Sequence, residues 1–134
     1  MTSIETNPST AWPERLRATY DRADSRDARG FASYFSASGT MKFGNSGILT
    51  GPQEIESSLT EFFGSISSMK HTIVSVWEAS NQAIFEAVVT YGRLDGSSVD
   101  VPAVTAYTFE NDKVSSCRIY CDMTPVFQAE EPPS

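Results

Sequence analysis

The stretch from Met69 to Met123 constrains the fold most. It holds four long β-rich segments separated by three turn signals, Ser80-Asn81-Gln82, Asp95-Gly96 and Asn111-Asp112. Side chains alternate between faces along a strand, so each segment sorts into two sets. The first strand sets Met69, His71, Ile73, Ser75 and Trp77 against Thr72, Val74, Val76 and Glu78. The second sets Ile84, Glu86, Val88 and Thr90 against Phe85, Ala87, Val89 and Tyr91. The third puts Val99, Val101, Ala103, Thr105 and Tyr107 on one face, and the last puts Cys117, Ile119 and Cys121 opposite Arg118, Tyr120 and Asp122. Strands with apolar residues on both faces are covered on both sides. The helices upstream close one face, and a second copy of the chain is the expected cover for the other, through Phe85, Val89 and Tyr91.

Those helices are legible in the order of the chain. Residues 1–11 are polar and read as a loose arm. Pro13 fits the first turn of a helix on which Trp12, Leu16, Tyr20 and Ala23 recur at helical spacing. Asp24-Ser25 is a stop-and-cap signal, and Ala28, Phe31, Ala32 and Phe35 predict a second short helix. A short strand over Thr40–Phe43 and a Gly44-Asn45-Ser46-Gly47 loop lead to Gly51-Pro52-Gln53-Glu54, which opens a third helix striped by Ile55, Leu59, Phe62, Phe63 and Ile66. The fold class is therefore α+β: three N-terminal helices packed on a strongly curved, mostly antiparallel sheet. One domain spans 12–127, and residues 128–134 form an acidic, Pro-rich tail.

Composition narrows the partners. The 134 residues carry a net charge of −7, with 10 basic residues and no basic cluster, which disfavours nucleic acid and anionic membrane surfaces. No apolar run approaches the roughly 20 residues of a membrane span, and no signal peptide is visible. Cys117 and Cys121 lie four apart on one strand, about 13 Å, too far to bridge each other. A cytoplasmic location with free, buried thiols lining a cavity is the expectation. A single His71 and two cysteines make a poor metal set, so neither metal nor organic cofactor is expected. Phosphate-binding glycine loops and serine-nucleophile elbows are absent from the sequence.

The order helix, helix, short strand, helix, four-strand meander resembles the nuclear transport factor 2-like superfamily, in its SnoaL-like branch. Tyr20–Phe35 resembles that family's first two helices, Phe43–Ile55 its loop into the third, and Val76–Gly96 and Val104–Asp122 its long paired strands. The resemblance covers residues 12–127. It implies a cone-shaped α+β barrel with a deep apolar pocket, often a homodimer. It also implies either of two functions: cofactor-independent chemistry, as in ketosteroid isomerase, scytalone dehydratase, limonene epoxide hydrolase and the polyketide cyclases, or simple binding. Carried over residue by residue, the epoxide hydrolase's Tyr-x-Asn keeps only Asn45 of Phe43-Gly44-Asn45, and its Arg-x-Asp falls on Val88-Val89-Thr90. The last-strand Asp that it shares with the cyclases falls on Ile119. The isomerase base falls near Phe43, while Tyr20 sits near its first-helix Tyr.

Three titratable groups are candidates for proton transfer. His71, on the face of Ile73, can act as acid or base near neutral pH, or be a structural strand-end histidine. Glu86, among apolar neighbours with Val88, is either a carboxylate suited to proton transfer or an ion-pair partner of Lys70 or Arg118. Asp122 is a strand-end carboxylate one face away from the family's acid position. Tyr20, Asn45 and Tyr107 are candidate orienting groups. Phe43, Phe62, Phe63, Ile73, Val88, Val101, Ala103, Thr105 and Ile119 would line the pocket. The reading is an isomerase, cyclase or dehydratase of a hydrophobic, oxygenated substrate, of the secondary-metabolism kind, acting as a homodimer. The alternative is a non-catalytic binding module for a small ligand or a protein.

Overall fold

The computed structural model describes residues 11–127. The expected arm up to residue 10 and the tail 128–134 lie outside them. Helix α1 (Glu14–Asp24) starts behind Pro13 and buries Leu16, Thr19, Tyr20 and Ala23 on one stripe. Arg26 turns the chain with a φ of 58°, and Asp27 caps α2 (Ala28–Ala32) by accepting from the Gly30 amide at 2.9 Å. Helix α2 is only five residues long. Phe35, expected at its end, instead begins strand β1 (Phe35–Phe43).

That strand starts five positions before the expected Thr40 because its partner is distant in sequence. It runs parallel to the last strand, β6 (Lys113–Cys121), with Phe35 opposite Val114 and Met41 opposite Cys117. The register slips between Phe35 and Thr40, and Gly39 lies there with no room for a side chain. A Cβ on it would stand 2.6 Å from the Val114 carbonyl. A two-residue strand β2 (Leu49–Thr50) pairs with β1 and leads into α3 (Gly51–Gly64). Pro52 lies in the first turn of α3, and the Glu54 carboxylate accepts from the Thr50 amide at 3.3 Å.

Strands β3 (Ser68–Ala79), β4 (Gln82–Gly92), β5 (Ser98–Glu110) and β6 form the expected meander. The β5–β6 turn places Asn111 and Asp112 at φ 50° and 64°, the left-handed pair that a tight hairpin demands. The sheet order is β2-β1-β6-β5-β4-β3. It is strongly curved and open: the expected closure into a barrel is absent, since among the described residues β2 and β3 are its two edges and do not pair with each other. A last turn, α4 (Thr124–Phe127), is held by the Arg93 guanidinium, which donates to the Pro125 and Val126 carbonyls. Among the described residues no helix is long and apolar enough to cross a membrane.

The helices fill the concave face. Leu16, Tyr20, Phe31, Ile55, Leu59 and Phe63 meet Phe85, Val89, Val101, Tyr107 and Cys117 in one core. Two expected faces are reversed by this packing. On β4 it is Phe85, Val89 and Tyr91 that point inward, each at most 3% exposed, so they are covered within the chain and are unavailable to a second copy. Ile84, Glu86 and Val88 take the outer face. Both faces of this strand are apolar, so alternation alone could not choose; burying three large side chains rather than an unpaired carboxylate does. On β3 a bulge between Ile73 and Ser75 shifts the alternation, leaving Met69 and His71 inward but bringing in Val76 in place of Trp77.

Candidate functional site

The concave side encloses a cavity lined by Tyr20, Phe31, Met41, Phe43, Leu59, Phe62, Phe63, Met69, His71, Val89, Tyr91, Ala103, Thr105 and Ile119, with Ala23 at its helical edge. The space that the centre of a water molecule can reach is about 40 Å³. A wider outer groove of about 300 Å³ by the same measure lies against the loop 46–49 and α3, and it shares Met41, Phe43, Leu59 and Phe62 with the cavity. The Phe43 and Phe62 rings, 5.5 Å apart, form part of that common wall.

His71 stands on this wall, and Asp24 holds it. His71 Nδ1 lies 2.6 Å from Asp24 Oδ1, and the His71 amide donates to Asp24 Oδ2 at 3.1 Å. One carboxylate thus grips both the backbone and the ring of the same residue, which fixes the imidazole's orientation. The His71 side chain is 11% exposed. Its ring also meets Tyr20 edge-on, with centroids 4.8 Å apart, while Trp12 stacks on Tyr20 at 4.5 Å. In the neutral ring, an Nδ1–H that donates to the carboxylate leaves the lone pair, and so the basic site, on Nε2.

The sequence reading treats Asp24 only as a helix stop. A local signal for more does exist. An acid at the last position of a helix faces the negative end of the helix dipole, which disfavours it by some tenths of a kcal/mol unless something else holds it. Its partner, 47 positions away, has no local trace.

Beside the pair lies a polar chain that does not face solvent. The Tyr20 and Tyr107 hydroxyls are 2.6 Å apart, and Cys117 lies opposite Tyr107 in the β5–β6 register. Burial holds both phenols well above their ordinary values, and the negative form of Cys117 would raise them further. The Cys117 thiol is pushed up to about 12, mainly by burial, against a smaller pull downward from Tyr107 and Arg118. These groups are neutral hydrogen-bonding elements at physiological pH.

Of the expected lining, Tyr20, Phe43, Phe62, Phe63, Ala103, Thr105 and Ile119 stand on the cavity wall with His71. Val101 and Tyr107 are buried behind it, and Ile73 packs against the core beyond the cavity's edge. Four expected residues are elsewhere. Glu86 and Val88 are on the outer face, for the packing reason given above, and none of the ion pairs among the described residues involves Glu86. Asp122 is exposed and caps α4 by accepting from the Thr124 amide at 3.0 Å, contacts that lower its pKa. Asn45 is exposed on a surface groove with Asp122 and Cys121. Both cysteines are free, but neither lines the cavity: Cys117 is buried behind it, and Cys121 is half-buried on that surface groove. Tyr91, expected on the outer face, is on the cavity wall. Among the described residues no three of His, Cys, Asp and Glu come together as metal ligands.

No curated protein matches the sequence. The family model described as a SnoaL-like domain matches residues 16–117. Among solved structures, a hypothetical protein of ketosteroid isomerase-like fold from Catenulispora acidiphila, in complex with trimethylamine, superposes with a TM-score of 0.78 at 19% identity, over 87% of this chain and 91% of that one. A candidate SnoaL-like polyketide cyclase from Jannaschia gives 0.69 at 18% identity, over 93% and 100%. An epoxide hydrolase of the limonene epoxide hydrolase type from M. tuberculosis gives 0.70 at 10% identity, over 85% and 84%. At these identities the structural likeness speaks for the fold, and the family match extends over most of the chain. The protein belongs to the SnoaL-like domain family and has the nuclear transport factor 2-like fold.

Proposed function

We propose that this protein is a cofactor-independent small-molecule enzyme that performs acid–base chemistry of the isomerase, cyclase or dehydratase type on a hydrophobic, oxygenated substrate. The observation that carries this reading is the Asp24–His71 pair: His71 stands on the wall of a mostly apolar cavity, and the Asp24 carboxylate holds its ring. A carboxylate that orients and supports an imidazole makes Nε2 a proton acceptor, and the imidazolium formed is held by the same carboxylate until it returns the proton. Apolar surroundings strengthen each of these electrostatic interactions. The family and fold include a candidate polyketide cyclase and an epoxide hydrolase, which agrees with small-molecule chemistry. The continuous wall of Met41, Phe43, Leu59 and Phe62 suits a substrate whose reacting end enters the narrow cavity while its apolar remainder lies in the outer groove.

We also propose that the chain works as a homodimer through the outer sheet face. Val74 and Val104 are each 39% exposed there and Tyr120 is 60% exposed.

The test is a screen of cyclic ketones and hydroxylated aromatic ketones for turnover, followed by His71→Ala and Asp24→Asn on any substrate found. Losses of roughly 10²–10⁴-fold in turnover, with unchanged melting temperature, support the reading. A second reading, a non-catalytic binding module, is supported by the family resemblance, which puts Ile119 where the family carries its last-strand acid. Full turnover in both variants, or ligand binding without any turnover across the screen, decides for it.

A further inference from the structure

The cavity wall carries a further polar group, Tyr91, which strand alternation alone assigns to the outer face. The Tyr91 side chain is only 3% exposed, yet its hydroxyl is joined to no other group among the hydrogen bonds of the described residues. Nor does it rank among fully enclosed polar atoms without a partner, because no such side-chain atom exists among the described residues. The hydroxyl therefore keeps a small contact with open space, and the residue lines the cavity. A phenol this deep ordinarily finds a partner within the protein.

Register relates it to the pair described above. Tyr91 lies opposite Met69, and His71 lies opposite Val89, so His71 and Tyr91 are diagonal neighbours on adjacent strands, both pointing inward. Diagonal pairs lie about 7–8 Å apart at Cα, within reach of one small molecule held between two long side chains. The Phe62 ring stands edge-on to the Tyr91 ring, with centroids 6.0 Å apart, and limits how far it can swing. Burial, with Cys121 and Asp24 nearby, raises the phenol's pKa, so it stays a donor at physiological pH. Tyr20 and Tyr107 are satisfied by each other and are not free for this task.

We propose that Tyr91 is a substrate-positioning residue whose hydroxyl donates a hydrogen bond to a carbonyl oxygen of the substrate, beside the His71 base. Resting on the acid–base reading above, it narrows the substrate class to compact cyclic ketones or enones whose acidic C–H lies one or two bonds from that carbonyl. The phenol stabilises negative charge that develops on the oxygen as His71 removes the proton.

The experiment uses cyclohex-2-en-1-one as the probe, with its carbonyl stretching band recorded by infrared difference spectroscopy on the full chain and on Tyr91→Phe. In the wild type the bound band falls below its position in an apolar solvent. In Tyr91→Phe it returns toward that position, affinity for the probe drops roughly two- to tenfold, and the melting temperature does not fall. An unchanged band and affinity in Tyr91→Phe, no binding of the probe by the wild type, or a lowered melting temperature, which would reveal a protein partner for the hydroxyl, each overturn the proposal. No proton transfer is needed for this readout. A failed Asp24–His71 pair would therefore leave the Tyr91 effect visible, and a failed Tyr91 effect would leave the pair's own tests standing.

Discussion

Asp24, the last residue of α1, holds His71 of β3 by two contacts, one oxygen 2.6 Å from the ring Nδ1 and the other accepting the backbone amide at 3.1 Å. The second contact matters as much as the first. It ties the carboxylate to the strand itself, so the ring is oriented relative to the sheet and to the cavity walls that the sheet supplies. Such a support holds a base in one geometry before any ligand arrives, which is where positioning contributes to rate.

The Tyr20–Tyr107 contact should couple the first helix to β5 energetically. Either Tyr→Phe change leaves a buried hydroxyl short of a partner, a loss of about 1–3 kcal/mol. Urea denaturation of both singles and the double should show a coupling of at least about 0.5 kcal/mol. Strict additivity would mean that the two hydroxyls do not interact in solution.

Stability should decline in alkali. The Cys117 thiol is raised from 9.0 to about 12, chiefly by burial. Between those values the unfolded chain releases this proton while the native chain keeps it, so the native state binds more protons and unfolding becomes easier as pH rises. The contribution is complete below about pH 9 and is lost as pH climbs through about 12. Tyr20, Tyr91 and Tyr107 are raised in the same direction and extend the decline. Urea midpoints should hold from pH 7 to about 9 and fall beyond. Cys117→Ala, although less stable overall, should show a shallower fall in the first part of that window. A midpoint that rises with pH there would contradict the burial of these groups.

Val104 offers a clean test of the outer face. It is opposite Glu86 in the β4–β5 register, so a lysine there gains an ion-pair partner within the chain while putting charge into the apolar patch. Val104→Lys should keep the melting temperature of the isolated chain and shift the mass seen by light scattering from dimer toward monomer. A wild-type monomer at micromolar concentration removes the dimer from the account. Val89→Glu would be uninformative, because Val89 is 1% exposed in the core and an unpaired charge there should unfold the chain.

How far these features were legible in the sequence depends on their range. Helices whose starts are marked by Pro13 and Pro52, and hairpins marked by Asn81, Gly96 and Asn111-Asp112, are local and readable. So is the wall formed by Ala103, Thr105 and Ile119, whose strands carry one face clearly more apolar than the other. Strand β4 carries two apolar faces, so its inward set, and with it the placement of Glu86, Val88 and Tyr91, depended on packing that alternation cannot see. The bulge after Ile73 is set by pairing with β4, and the early start of β1 by a parallel partner about 80 residues away. Asp24 is the clearest omission: its type and helix position were plain, but its role exists only once β3 lies beside it.

The most direct test of the central claim is the tautomer of His71, the single histidine of the chain. Selective ¹⁵N labelling of histidine gives one pair of ring signals, and their shifts report which nitrogen carries the proton. In buffer alkaline enough for a neutral ring, the account predicts a protonated Nδ1, donating to Asp24, and a bare Nε2 available to a substrate. In Asp24→Asn that preference should weaken. A neutral ring with its proton on Nε2 and a bare Nδ1 in the wild type would contradict the account, since the carboxylate would then hold no proton donor and the cavity would face no base.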